Sequence, residues 1–258
     1  IYIHAGKIYD TDSGKLSSEK TIIISDNKIK SIENGYKEAS EDDIKIYNLK
    51  SKVVLPGLID FHVHMESQSG GQDRYVRRFQ DNKADVAFRS SVIAKKTLMS
   101  GFTTVRDVGG SGVNISLRNA INNGVIPGPR IFTSGKTIAT TGGHGDRTNG
   151  FRDDLVDDPG PEQGVVNSIA DARKAVRYRY KNGADLIKIT ATGGVMSLAK
   201  NGQNPQFTEE VIREIVKTAD DYGMHVAAHA HGDEGMFRAV NAGVTTIEHG
   251  SIMADRTM

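Results

Sequence analysis

The 258-residue sequence contains no cysteine. Disulfides and thiolate metal sites are thereby excluded, and any metal must be held by His, Asp, Glu or a modified Lys. A cysteine-free chain tolerates either redox state, so this absence leaves the compartment open. No run of about 18 apolar residues occurs, so no membrane-crossing helix is expected. Neither sign of charge dominates: 33 Lys and Arg stand against 32 Asp and Glu, a net charge of +1, with no basic block. That balance gives no electrostatic footprint for nucleic acid. No signal peptide is visible, but the chain begins at Ile1 rather than Met. A cytoplasmic location is the default expectation, with a periplasmic or secreted one following if a leader precedes Ile1. What remains is ordinary globular composition, 37% hydrophobic and 25% charged, enough for one large domain or one large and one small.

The pattern changes once along the chain. Residues 1–54 hold short β-rich runs, Ile1–Tyr9, Thr21–Ile32 and Ile44–Leu55, with Asp26-Asn27 where a hairpin turn belongs. They predict part of a small β domain, sandwich-like in kind. From residue 55 onward four segments share one layout, a helix-like stretch, a glycine, then a short apolar strand ending in a polar residue. They are Gly101–Asp107, Gly183–Lys188, Gly223–His229 and Gly243–His249. Glycine suits the left-handed position just past a helix, and short continuous apolar runs suit strands buried on both faces. With Leu58–His62 and Arg130–Ser134 they make six candidate parallel strands. Helices are expected over Ala84–Ser100, over Ile169–Asn182 and from an N-cap at Thr208. Strands alternating with helices predict α/β architecture with a parallel sheet. The Gly-, Asp- and Pro-rich stretch from Gly135 to Asn167 reads as a functional loop.

Chemistry enters with the histidines. His62 and His64 lie two apart in a strand, so both imidazoles share one face and can reach one divalent ion. His229 and His249 each end a separate strand, where the C-terminal ends of a barrel converge on its active site. His4 and His225 end no strand and read as structural. Lys188 stands inside an apolar strand, where an unpaired ammonium is disfavoured. It is either bonded to an acid such as Asp185 or Glu248, or deprotonated and able to take up carbon dioxide as a metal-bridging carbamate.

The motifs Pro56-Gly-Leu-Ile-Asp-Phe-His-Val-His64, Gly101-Phe-Thr-Thr-Val-Arg-Asp107, Thr141-Gly-Gly-His144, Gly183-Ala-Asp-Leu-Ile-Lys-Ile189, Ala191-Thr-Gly-Gly-Val-Met-Ser197, His225-Val-Ala-Ala-His-Ala-His-Gly232 and Ile247-Glu-His-Gly250 follow in order along the whole chain. Together they resemble the amidohydrolase superfamily, in its imidazolonepropionase-like branch of Xaa-Pro dipeptidases and lysine/arginine carboxypeptidases. The resemblance implies a TIM (β/α)8 barrel, here about six strands over residues 55–258, beside the small β domain. It implies one zinc on His62 and His64, a second on His229 and His249, and carboxylated Lys188 bridging them. A water acidified by both metals would attack the carbonyl of a C–N amide, most simply the peptide bond of a dipeptide or N-acyl amino acid. His144 and His231, both in predicted loops, are candidates for contacts to substrate or developing oxyanion, while the strand register favours His229 as ligand and leaves a swap with His231 open. Arg147 and Arg152 are candidates for its carboxylate. A homo-oligomer is expected on the same ground, with a small molecule as partner and neither nucleic acid nor membrane.

One departure matters. The resemblance calls for an acid/base aspartate at the end of an eighth strand, and the sequence stops at Met258, just past the sixth. Neither Asp60 nor Asp107 matches that position. Residues 55–258 also fall short of the roughly 250 of a full barrel, so a segment of a longer chain is expected. A one-metal deaminase or imidazolonepropionase is disfavoured by Gly232 and His231 where an acid is called for, and by the presence of Lys188. Lactam opening would use the same site. A non-catalytic scaffold is disfavoured because every candidate ligand is present.

Overall fold

Alternation in the first residues resolves into four strands, β1 (Tyr2–Asp10), β2 (Lys15–Ser25), β3 (Lys28–Asn34) and β4 (Ile46–Val54). The turn between β2 and β3 is made by Asp26 and Asn27, both with positive φ, 50° and 61°. Asn and Asp tolerate that conformation, and its twist matches the flanking strands. The computed structural model describes residues 1–39, 43–67, 76–77, 79–195, 197 and 201–258. The chain divides into two compact units, Ile1–Gly57 and Leu58–Met258. In the first, the strands form one sheet in the order β3-β2-β1-β4, antiparallel except for the β1–β4 pair. Among the described residues this is a single sheet, not the two packed layers expected of a sandwich. Its small core is Ala5, Ile8 and Ile22. His4, read as structural, is buried there with Nε2 against Lys37 O at 2.9 Å.

The second unit alternates strands and helices. All six predicted strands are found, as β5 (Leu58–Val63), β6 (Phe102–Asp107), β7 (Arg130–Thr133), β8 (Leu186–Thr190), β9 (His225–Gly232) and β10 (Thr246–Ile252). They pair in parallel as two three-stranded sheets, β5-β6-β7 and β8-β9-β10. Ile138, in the segment after β7, bridges to Ile189 of β8. The described strands do not close into a barrel.

Among the described residues these helices connect them: α1 (Lys83–Met99), α2 (Val113–Asn122), α3 (Ile169–Lys181), α4 (Glu209–Asp220) and α5 (Asp233–Asn241). The four glycines expected past helix ends all have positive φ, from 66° at Gly223 to 96° at Gly101. The Thr208 hydroxyl accepts from Val211 N, as expected of an N-cap. Apolar faces of α3, α4 and α5 pack on β8 and β9 around Val176, Ile187, Ile189, Ile212, Ile215 and Met236, all buried. That packing holds β8 and β9 rigid and delivers their C-terminal residues to one end of the unit. The long stretch after β7 has one short 3-10 turn, Asp153–Leu155, but it is partly core, since Ile138 and Ala139 are fully buried.

Candidate metal centre

At that end the histidines meet. His62 lies in β5 and His64 one residue past it, with ring centroids 5.4 Å apart. His249 of β10 is 4.9 Å from His62 and 4.7 Å from His229 of β9. Three strands separated by up to 187 residues thus contribute to one continuous group of rings. His229, His231 and His249 each offer a ring nitrogen within 4.8 Å of the others.

Each ring is oriented by a second bond. His62 Nδ1 donates to Glu248 Oε2 at 2.7 Å, and His64 Nδ1 donates to Gly109 O at 2.8 Å. Those bonds fix the proton on Nδ1 and place the lone pair on Nε2. His229 does the reverse, its Nε2 donating to Gly193 O at 2.9 Å, so its lone pair is on Nδ1. Ligating imidazoles generally donate their other nitrogen in this way. Burial holds His229 down at about 3 and His249 at about 4, so both are neutral at pH 7, the form that ligates.

Lys188 is buried in the middle of β8, a strand with no exposed residue. Burial lowers it from its ordinary 10.5 to about 8; Glu248 opposes this and Arg106 reinforces it. Its charge bears on both His229 and His249. The two acids that could have neutralised it are engaged elsewhere. Asp185 pairs with Arg118 at 2.6 Å, and Glu248 with Arg106 at 2.5 Å. Among the described residues no ion pair to Lys188 forms. A buried amine near neutrality beside neutral imidazoles, in a chain without thiols, is a donor set that fits divalent zinc.

Of the two substrate-contact candidates, His144 lies in the loop as expected, its ring stacked on His229 at 4.4 Å. A Cβ on Gly194 would sit 2.3 Å from the His144 ring, so only glycine admits it there. His231 was expected in a loop but belongs to β9, two residues beyond His229 on the same face, with its ring 4.9 Å from His249. The strand runs on because Ile252 pairs with Gly232 beyond a register shift in β10. Arg147 donates to Gly110 O. Arg152 is exposed and pairs with Asp154 at 2.5 Å. Asp107 is buried and accepts from Met65 N, Gly109 N and Asn114 Nδ2, a structural role. Asp60 accepts from its own strand at His62 N. In the Ala191–Ser197 motif, Met196 lies outside the described residues.

Sequence reading did not find Glu248 as a partner of His62, nor Arg106 at all. The signal was available, because an arginine and a glutamate inside apolar strands are as anomalous as Lys188.

Residues 53–257 match the amidohydrolase family. Ochratoxinase from Aspergillus niger is 31% identical over 265 residues, covering 96% of this chain and 53% of that protein. The crystal structure of a Xaa-Pro dipeptidase with methionine bound in its active site superposes with a TM-score of 0.94 at 50% identity, over 99% of this chain and 63% of that one. That of a prolidase complexed with N-methylphosphonate-L-proline gives 0.86 at 33% identity, over 99% and 62%. The chain thus spans about half the length of the curated relatives it matches. On the family match and these relatives together, the chain belongs to the amidohydrolase family.

Proposed function

We propose that the protein of which these residues are the site-bearing part is a two-zinc amide hydrolase on a (β/α)8 barrel. The observation that carries this is the convergence of His62, His64, His229 and His249 near the C-terminal ends of three strands, beside an ion-pair-free Lys188 buried within a fourth. In this reading residues 55–258 are the hydrolase domain. His62 and His64 would hold one ion and His229 and His249 the other, with Lys188, as its carbamate, supplying a further oxygen donor. When bound, the two ions supply an acidified water and a Lewis acid for the carbonyl.

The chain's own groups do the rest. Neutral His229 and His249 offer lone pairs without having to lose a proton first. His144, seated over His229 by Gly194, and His231, bonded through Nδ1 to Ser251 Oγ at 2.9 Å, border the ligands and supply donors to a substrate carbonyl or oxyanion. Arg147, in the same loop as His144, is the candidate for a substrate carboxylate.

What two relatives hold supports the substrate class. Methionine and N-methylphosphonate-L-proline are both amino-acid derivatives with a free carboxylate. Dipeptides and N-acyl amino acids are therefore the substrates proposed. The test measures zinc per protomer and turnover of Xaa-Pro, Xaa-Lys and Xaa-Arg dipeptides. Two zinc ions and cleavage of at least one dipeptide series are expected. Turnover of a lactam alone would overturn the substrate class, and absence of bound zinc would overturn the metal centre.

A further inference from the structure

We infer that Glu248 and Arg106 are a positioning pair that sets the His62 ring and holds the two outer strands of the site together. The inference rests on the reading of His62 as a metal ligand.

The geometry is unusually complete. Glu248 is buried, and its carboxylate accepts from His62 Nδ1 at 2.7 Å, from Arg106 Nη2 at 2.5 Å and from Thr246 Oγ1 at 2.8 Å. Burial alone would push this carboxyl up. The bonds from His62 and Thr246 and the charges of Arg106 and Lys188 outweigh it and bring the carboxyl down to about 2. Arg106 in turn donates through Nε to Phe61 O at 2.7 Å and through Nη1 to Thr246 Oγ1 at 3.2 Å. One guanidinium of β6 therefore grips the β5 backbone next to His62 and the β10 side chains next to His249. Among the described residues β5 and β10 share no strand pairing, so these bonds link them together with the His62–His249 ring contact.

Neighbouring residues of a regular strand face opposite sides, so Glu248 and His249 should not both reach His62. They do. His249 has φ of 74°, and the pairing of β10 with β9 shifts register just after it. A non-glycine residue in that region is strained by about 1 kcal/mol or more, and such strain persists where surrounding contacts over-determine it. Here it turns the His249 ring onto the same cluster that Glu248 serves. A buried ion pair adds little net stability, because desolvation offsets attraction. Its effect in this site is geometric: the carboxylate fixes the Nδ1–H form of His62 and aims Nε2.

The test uses wild type and Glu248→Gln, with a melting curve on each. The His62 tautomer is read by long-range 15N–1H NMR on metal-free protein, and zinc affinity by chelator competition. Wild type should show the Nδ1–H form. Glu248→Gln, whose amide cannot accept from His62, Arg106 and Thr246 together, should populate the other tautomer and lose about 10- to 100-fold in zinc affinity. Should that variant fail to fold, Arg106→Lys replaces it, with a smaller change in the same direction expected in both readouts. A folded variant with wild-type tautomer and wild-type zinc affinity overturns the inference. If wild-type protein takes up no zinc, the proposed function fails instead, and the tautomer in metal-free protein still decides the role of Glu248.

Discussion

Replacing Lys188 with methionine should make the metal-free protein more stable while removing the proposed bridge between two ions. Lys188 is 3% exposed, between Ile187 and Ile189 of the main core, and its candidate acids are committed to other partners. The interval between 10.5 and about 8 corresponds to about 3 kcal/mol of disfavoured ammonium. A lysine whose folded value is depressed is protonated in both states at pH 7, so the whole penalty is present there. It fades only as pH rises from about 8 to 10.5, where the fold releases its proton before the unfolded chain does. Methionine fills similar volume without the charge. Allowing for relaxation around the site, a gain of about 1–3 kcal/mol at pH 7 is expected, or about 3–10 °C for a unit of this size. Thermal melts after chelation, in carbon-dioxide-depleted buffer so that the amine stays unmodified, give the comparison at pH 7 and pH 10. The variant's advantage should shrink at the higher pH, and zinc supplied with bicarbonate restored should reverse the order by stabilising wild type more than the variant. Equal or lower stability of the variant at pH 7 would show that the ammonium is paired, and the carbamate reading would lose its physical basis.

Three further outcomes are expected. Gly194→Ala places a Cβ 2.3 Å from the His144 ring, which must move by about 1 Å, so dipeptide turnover should fall on the order of a hundredfold with zinc content unchanged. Glu66→Ala should lower stability by about 1–2 kcal/mol in denaturant melts, because its carboxylate accepts from Ser111 N and Asn114 N and supplies the cap that Gly112 cannot. Burial pushes Asp107 up to about 7 against the opposing bonds from Met65, Asn114 and Gly109. Its contribution to stability is therefore complete below pH 3.8 and lost as pH rises through about 7. A wild-type-minus-Asp107→Asn difference that does not decline over that range would refute this placement.

Four of the six parallel strands were legible because each combines a left-handed glycine with an apolar run, two independent local constraints agreeing on one boundary. The clustering of His62, His64, His229 and His249 was legible because parallel strands of this kind deliver their C-terminal ends to one side. Helices α2 and α5 carried no such signature. Both have glycine at the N-cap, Gly112 and Gly232, where a side-chain cap would have announced them. For α2 the cap is Glu66, some 48 residues upstream in sequence. For α5 the glycine is required by close approach, since a Cβ on Gly232 would lie 2.1 Å from Gln203 O. His231 was misplaced for a related reason. Whether a strand ends at His229 or continues is decided by its partner, and the register shift that lets β10 accompany β9 further is non-local. Local pattern located the groups, but long-range pairing decided which atoms they turn toward one another.

The two ends of the strands in this unit are under different demands. At their N-terminal ends Gly101, Gly183, Gly223 and Gly243 relieve strain, each adopting a left-handed conformation that only glycine takes without cost. At their C-terminal ends the chain does the opposite. It keeps a buried lysine, a buried imidazole at His229, a buried Glu248 paired with half-buried Arg106, and a strained His249, features that a fold selected for stability alone would discard. In the proposed two-metal state each of these features would change sign. Neutral imidazoles would be ligands already in the required form, an amine lowered to about 8 would be more readily carboxylated, and the carboxylate partner of His62 would make that ring more basic. On that reading the metal-free chain carries the strain, and the packed core beneath β8 and β9 lets it do so.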